Sequence, residues 1–297
     1  MIVDETLVVV VTLLLCLLLV PLVVFVPRIF FDTRGEPLVA PNFRIYAVLV
    51  RGYLWGLLHG DLGTTRRGMV VTRALVLPAR HSLQLLGVSF AVALPLGVGW
   101  GAVLAQVRRR FPALLLFGLN TLANSLPSFV VLLLTIEALA TLTLRTHIRL
   151  TYVQGYGLDR HLLVPTAVLA LQGAGYMARA LQVAQEEISR QDWITVARAK
   201  GLGGLTLWWH HILPALRWPL IASSLGMLRI MVSGLVIVDY MYNWGGLGQL
   251  MLETGNNGIR PTESNVSASA ALIIVLFFII TDVLGRLLTE HRTARIQ

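Results

Sequence analysis

Lys200 is the only lysine in this 297-residue chain. A phosphate-binding P-loop needs Gly-Lys-Ser/Thr, with the lysine reaching the phosphates. Here Ala199 precedes Lys200 and Gly201 follows it. The chain therefore carries no P-loop, and any ATP chemistry must sit on another chain. The glycines between Gly201 and Gly204 are no substitute, because no strand–turn–helix context surrounds them. Cys16 is the only cysteine, which excludes an internal disulfide and a cysteine-based zinc site. The histidines are His59, His81, His147, His161, His210, His211 and His291. None belongs to a His-Glu-x-x-His pair, and adjacent His210 and His211 point to different helix faces. Ser223, Ser224 and Ser233 lie in apolar sequence, but an intramembrane serine protease would need a histidine in a later span. After residue 238 the only histidine is His291, so neither proteolytic nor metal chemistry is expected.

The elements that must position the remaining candidates are membrane spans. Hydrophobic residues make up 56% of the chain and charged residues 13%, with a mean hydropathy of +0.74. Soluble domains carry about 25% charged residues. A span needs about 20 mostly apolar residues. Six stretches meet or approach this: residues 7–26, 82–107, 114–139, 162–183, 220–238 and 266–288. The expected fold is all-α, one polytopic domain over residues 1–297 with about six transmembrane helices. Asp4 and Glu5 precede the first stretch, which is also long for a leader. It reads as a retained span rather than a cleaved signal.

The net charge is +9. Arg108, Arg109 and Arg110 directly follow the second stretch and mark that end as cytoplasmic. Alternation then places both termini in the cytoplasm and residues 28–80 outside. That external segment holds eight arginines, and long translocated segments follow the charge rule only weakly.

Residues 186–218 form the polar connection before the fifth span. Residues 186–200 read as a helical continuation of the fourth span, ending at Gly201 in the left-handed position that favours glycine. Leu205, Trp208, Trp209, Ile212 and Leu213 then recur at helical spacing as one apolar face. Pro214 and Pro219 are expected to break the chain before the fifth span. Such a short amphipathic helix either lies on the membrane surface or docks into a groove on a partner.

Charges within spans are candidate pathway groups. Glu137 either serves a pathway or reaches the outer interface. Asp239 and Asp282 sit near span ends and read as interfacial caps rather than substrate ligands. Arg229 falls inside the fifth span, where it could face a cavity and meet a carboxylate.

The order Trp193, Ala197-Arg198-Ala199-Lys200-Gly201-Leu202, His211, Pro219 resembles the cytoplasmic loop of binding-protein-dependent ABC importer permeases. The resemblance is strongest to the dipeptide, oligopeptide and nickel branch. Gly201 to His211 is ten residues and His211 to Pro219 is eight, as in that branch. Val196 replaces its threonine. His59-Gly60-Asp61-Leu62-Gly63, Ser125-Leu126-Pro127-Ser128-Phe129, Leu163-Val164-Pro165 and Trp244-Gly245-Gly246-Leu247-Gly248 resemble further segments of the family, with Gly245 in place of a proline. The matches extend over roughly residues 53–288.

This resemblance implies a type I ABC importer permease fold in a bacterial inner membrane. It implies a non-catalytic transport subunit for peptides or a related small solute. Its partners would be a second related permease, two cytoplasmic ATPases that bind ATP and Mg, and an external solute-binding protein. No cofactor is expected on this chain and no nucleic acid partner. The coupling residues it implies are Ala197, Arg198, Ala199, Lys200, Gly201, Leu202, Leu205, Trp208 and His211. Ala197 and Ala199 would allow close approach to an ATPase groove, Arg198 and Lys200 would pair with acidic groups or carbonyls, and Leu205, Trp208 and Trp209 would be apolar anchors. Ser125, Pro127, Glu137 and Arg229 are translocation-path candidates, with Arg229 also able to meet an acid on the partner permease. A stand-alone secondary transporter or channel is the alternative from a different class.

Overall fold

The computed structural model describes residues 2–31, 38–65, 68–107, 110–147, 151–152, 154–256 and 261–293. Among them the fold is helical, with one isolated bridge between Thr64 and Val70. The helices are α1 (Ile2–Val24), α2 (Phe43–Leu58), α3 (Val71–Gln106), α4 (Arg110–Ser125), α5 (Ser128–Thr146), α6 (Leu163–Ser189), α7 (Asp192–Ala199), α8 (Gly204–Leu207), α9 (Leu213–Ala215), α10 (Arg217–Met241), α11 (Leu247–Asn256) and α12 (Pro261–Thr293). Six helical segments are long and apolar enough to cross a membrane: Leu7–Val24, Val71–Gln106, Ser128–Thr146, Arg160–Ser189, Arg217–Met241 and Ser264–Leu287. The number agrees with the sequence expectation, and two boundaries differ. Arg108 and Arg109, expected to fix the orientation, lie outside the described residues.

The first difference is the third span, expected to be continuous over residues 114–139. It is two helices, α4 and α5, broken at Pro127. Proline has no N–H to continue the ladder. Val130 N–H bonds to the Pro127 carbonyl at 3.0 Å, and the Leu126 carbonyl accepts instead from Gln172 Nε2 at 3.1 Å. In hydrocarbon such a freed carbonyl must find a partner within the protein. The second difference is α3, which begins at Val71 rather than near residue 82. At about 1.5 Å per residue its 36 residues span about 54 Å, well beyond an apolar core of about 30 Å. Arg73 and Arg80 suggest a loop by polarity, yet the helix simply continues past the apolar part.

The chain folds as two compact units. The first comprises Met1–Leu85, Leu139–Pro165 and Leu235–Ile280. Residues 28–80, expected as an external connection, contribute helix α2 to its core. Phe25, Val50, Tyr53 and Ala268 pack together there, and Val71, Leu75, Leu247, Val266 and Ala270 form a neighbouring cluster. The Tyr53 hydroxyl pairs with Ser269 Oγ at 2.8 Å. Arg28 is 2% exposed and donates to Ser264 Oγ through Nε at 3.0 Å and a terminal nitrogen at 2.8 Å. Buried charge is tolerated only with such bonding.

A polar clamp sits at the end of α10 in the same unit. Asp239 is fully buried, and its Oδ2 accepts from Ser82 Oγ at 2.6 Å and Gly248 N–H at 3.2 Å. Ser82 Oγ in turn accepts from Leu247 N–H at 2.8 Å. The Trp244 indole donates to the His81 carbonyl at 3.1 Å. Tyr156 stacks on His81 with ring centroids 3.7 Å apart and meets Trp244 edge-on. The Trp244–Gly248 turn is thus tied to the start of α3. Asp239 is a buried anchor, which corrects its reading as an interfacial cap. The Tyr242 hydroxyl, pushed up to about 12 by burial, donates to the Tyr152 carbonyl at 2.5 Å.

The second unit comprises Leu86–Ala138, Thr166–Gly234 and Thr281–Gln297. Its helices approach closely around α6. A Cβ at Gly97 would lie 2.6 Å from Met177 Cβ, and one at Gly101 would lie 2.8 Å from the Ala178 carbonyl oxygen. Glycines four residues apart place two close contacts on one face of α3. From the other side, Gly173 of α6 receives Met227 and Met231 of α10. The Asn120 side chain of α4 donates to the Gly175 carbonyl at 2.9 Å.

Two outcomes test this packing. Gly101→Ala should destabilise the subunit by about 1–3 kcal/mol, because backbone must shift. Gly99→Ala meets nothing within 4 Å and should leave the thermal unfolding midpoint in detergent unchanged or raised, since alanine favours a helix interior. Ser82→Ala should cost about 1–3 kcal/mol by orphaning buried groups, read as faster proteolysis at the Trp244–Gly248 turn.

Candidate functional site: the α7–α9 segment

The polar connection of the second unit is a short helical cluster. Helix α6 stops at Ser189, and Arg190 and Gln191 turn the chain, so α7 is a separate helix rather than a continuation of α6. Gln191 is extended, with ψ 144°. Asp192 follows in the first turn, where the helix dipole favours an acid. At the other end Gly201 has φ +82°. Leu202 N–H bonds to the Ala197 carbonyl at 3.2 Å and Gly201 N–H to the Arg198 carbonyl at 2.9 Å. These are the two bonds of a Schellman motif, with glycine in its left-handed position as the sequence predicts. The turn reverses the chain into α8, which leads through a π turn at Trp208–Ile212 into α9.

One face of this cluster is buried within the second unit. Ile194 and Ala197 of α7, and Leu207, Trp208, Ile212 and Leu216, are each at most 8% exposed. The Trp208 indole donates to Gln185 Oε1 on α6 at 3.1 Å, so the last turns of α6 hold the cluster in place. The opposite face is exposed and mixed apolar and basic. Trp193 is 43% exposed, Val196 54%, Leu205 71% and Trp209 57%. Arg198, Ala199, Lys200 and Gly201 are exposed among them.

The apolar face expected from Leu205 to Leu213 is therefore divided. Leu205 and Trp209 point outward, whereas Trp208 and Ile212 point inward. A π turn adds a residue to the helical turn, so the residues flanking it lose the phase of a regular helix. Trp208 is a structural contact rather than an outward anchor. Ala197 likewise packs inward and offers no close approach on the outer face, which leaves that to Ala199. His211 is half-buried, and its Nδ1 is enclosed without a hydrogen bond. Pro214 and Pro219 sit in the first turns of α9 and α10, where proline is tolerated. The break falls between them at Leu216.

The four pathway candidates have separate surroundings. Ser125 ends α4 and Pro127 precedes α5, both exposed, and Glu137 is exposed on α5. No hydrogen bond or ion pair joins these three to one another or to Arg229 among the described residues. Arg229 donates to Asp282 Oδ1 of α12 at 2.5 Å, and Arg286 Nε donates to Asp282 Oδ2 at 2.8 Å. Sequence alone places Arg229 and Asp282 in different spans and cannot pair them. The partner of Arg229 is thus this chain's own acid, and Asp282 is an ion-pair member rather than a cap. No group of three or more His, Cys, Asp or Glu side chains with metal-binding geometry occurs among the described residues.

Comparison with known proteins gives the family. The model for the inner membrane component of binding-protein-dependent transport systems matches residues 97–293. A protein of Brucella suis named as a peptide transport system permease is 28% identical over 239 residues, covering 78% of this chain and 75% of that one. The glutathione transport system permease protein of Pectobacterium atrosepticum is 25% identical, covering 78% and 73%. The oligopeptide transport system permease protein of Bacillus subtilis is 24% identical, covering 78% and 76%. Among solved structures, an inward-facing form of the MetNI methionine ABC transporter aligns with a TM-score of 0.60 at 19% identity, covering 73% of this chain and 95% of that one. That likeness shows the fold. The family is a component of a multi-part system, which excludes the stand-alone transporter. A multi-pass helical chain with no P-loop, a helical cluster exposed beside its spans and a family match across about two thirds of its length belongs to the inner membrane components of binding-protein-dependent transport systems.

Proposed function

We propose that this chain is a translocation subunit of an ATP-driven importer of peptides or a related small solute. The outer face of α7–α9 carries the reading. Leu205, Trp209, Val196, Arg198 and Lys200 expose apolar and basic groups together on this face. Aromatic and arginine side chains of this kind supply interface anchors. A groove on a cytoplasmic ATPase is its proposed partner, and ATP and Mg would be bound there, since this chain has no P-loop.

The proposed cycle follows from how the cluster is held. Its inner face is fixed to α6 by Trp208–Gln185 and the surrounding apolar contacts. Closure of an ATPase pair around ATP would move α7–α9 as a rigid body and carry α6 and α10 with it. The spans would then shift between inward-open and outward-open arrangements, driven by differential contacts. In this orientation α7–α9 and both termini are cytoplasmic, a second related permease completes the pathway, and an external binding protein delivers the solute. Peptides are the proposed substrate class because several named relatives are peptide permeases.

Co-purification with the ATPase subunits tests the reading. Trp209→Ala should weaken the complex about tenfold or more while the free subunit accumulates normally. Trp208→Ala should lower the stability of the subunit itself by about 3–5 kcal/mol. Gly201→Asp meets open space but strains the backbone by about 1–2 kcal/mol. It should leave the protein inserted and uncouple ATP hydrolysis from uptake. Normal transport by the Gly201 variant, or an unchanged complex with Trp209→Ala, would sink the docking assignment.

A further inference from the structure

Arg229 has twelve residues of α10 on either side of it, about 18 Å from each helix end at 1.5 Å per residue. A guanidinium at this depth is not tolerated against lipid and must face protein or a water-filled cavity. The structure satisfies only part of it. Arg229 spends one terminal nitrogen on Asp282 Oδ1, and a guanidinium has five N–H donors. Asp282 is shared, because its second oxygen accepts from Arg286. The Arg229 side chain remains 38% exposed and that of Asp282 35%.

The rest of α10 shows which side this is. Met227 and Met231 pack into Gly173 of α6, while Leu225 lies 3.9 Å from the Cβ position of Gly285 on α12. Leu225 and Arg229 are four residues apart and share a face. Asp282 and Gly285 are three apart and share the facing one. Arg229 therefore sits beside the α10–α12 contact, tethered by one bond, with donors remaining for a planar, bidentate anion. Such forked recognition of carboxylate is what arginine does better than lysine.

We propose that Arg229 is a specificity residue that receives the free carboxylate of the solute during translocation, with Asp282 as the internal counter-ion it partly releases. This rests on the peptide-import reading above. When no solute is present, Asp282 keeps the charge compensated within the span. When a carboxylate arrives, Arg229 exchanges or shares its partner, and the return of Asp282 promotes release. No covalent step is involved.

The test uses the full importer, with its partner permease, ATPases and binding protein, in proteoliposomes. The probes are tri-alanine and tri-alanine amide, their lumenal uptake normalised to the amounts held by the binding protein. Arg229→Gln should reduce uptake of the acid about tenfold or more, as expected for losing a charge-assisted hydrogen bond, and leave uptake of the amide within about twofold. Arg229→Lys should retain part of the preference for the acid. The double variant Arg229→Gln/Asp282→Asn leaves no unpaired carboxylate beside α10, and Arg286, which also bonds Asp282, lies at the end of the span, so the variant should assemble normally and still fail to favour the acid. Equal loss for both probes, recovery of wild-type acid uptake in the double variant, or loss of the partner permease from the Arg229→Gln complex would each overturn the proposal. Absence of ATP-dependent uptake of either probe by the wild type would instead refute the peptide-import reading itself.

Discussion

Close helix approach around α6 is the constraint on which the second unit depends. Lipid tails are as apolar as leucine, so nothing hydrophobic drives helices together inside a membrane. Association must come from van der Waals contact and from polar groups that bond across helices. Gly97 and Gly101 let α3 reach the Met177 side chain and the Ala178 backbone, and Gly173 lets α10 reach α6 through two flexible methionines. Polar groups fill the remaining needs: Gln172 takes the Leu126 carbonyl freed at Pro127, and Asn120 takes that of Gly175. Because α6 is fixed on several sides, its last turns form a firm base. Gln185 lies there and holds Trp208, so the α7–α9 cluster inherits the rigidity of the spans.

The first unit meets the same constraint with a different device. Buried polar groups tie distant parts of the chain together: Arg28 to Ser264, Tyr53 to Ser269, and Ser82 to Asp239. Each is nearly or wholly enclosed, where an unbonded polar group would be costly. The Asp239–Ser82 pair also organises backbone, since it collects N–H groups from Leu247 and Gly248. Four glycine-rich turn residues after α10 thereby gain a fixed conformation that their own side chains could not impose.

Much of this was legible in the sequence because hydropathy and spacing are local properties. Six spans, the helix end at Gly201 and the helical nature of residues 205–213 all follow from neighbours within a few positions. The misread features depend on groups far apart in sequence. Asp239 looks like an interfacial cap until Ser82, 157 residues away, encloses it. Arg229 looks unpaired until Asp282, 53 residues away, meets it. Helix α2 looks like part of an external loop because its packing partners lie in α1 and α12. Pro127 was visible, yet whether a proline kinks a span or divides it depends on who satisfies the freed carbonyl, and Gln172 does so from another helix.

The adjacent Trp208 and Trp209 show how far periodicity can carry function and where it stops. A regular helix would assign both to one broad apolar stripe, and the stripe could serve a core or a partner equally well. Neighbouring positions lie about 100° apart around a helix, and here the two indoles have ring planes at 88° and centroids 5.1 Å apart. One indole is 8% exposed and bonded to Gln185, the other is 57% exposed. Two tryptophans side by side thus provide one attachment inward and one outward. A force applied at Trp209 reaches α6 through a single peptide, a packed edge-to-face contact and the Trp208–Gln185 hydrogen bond. That short path is the property a segment needs if it is to transmit the motion of one subunit to the spans of another.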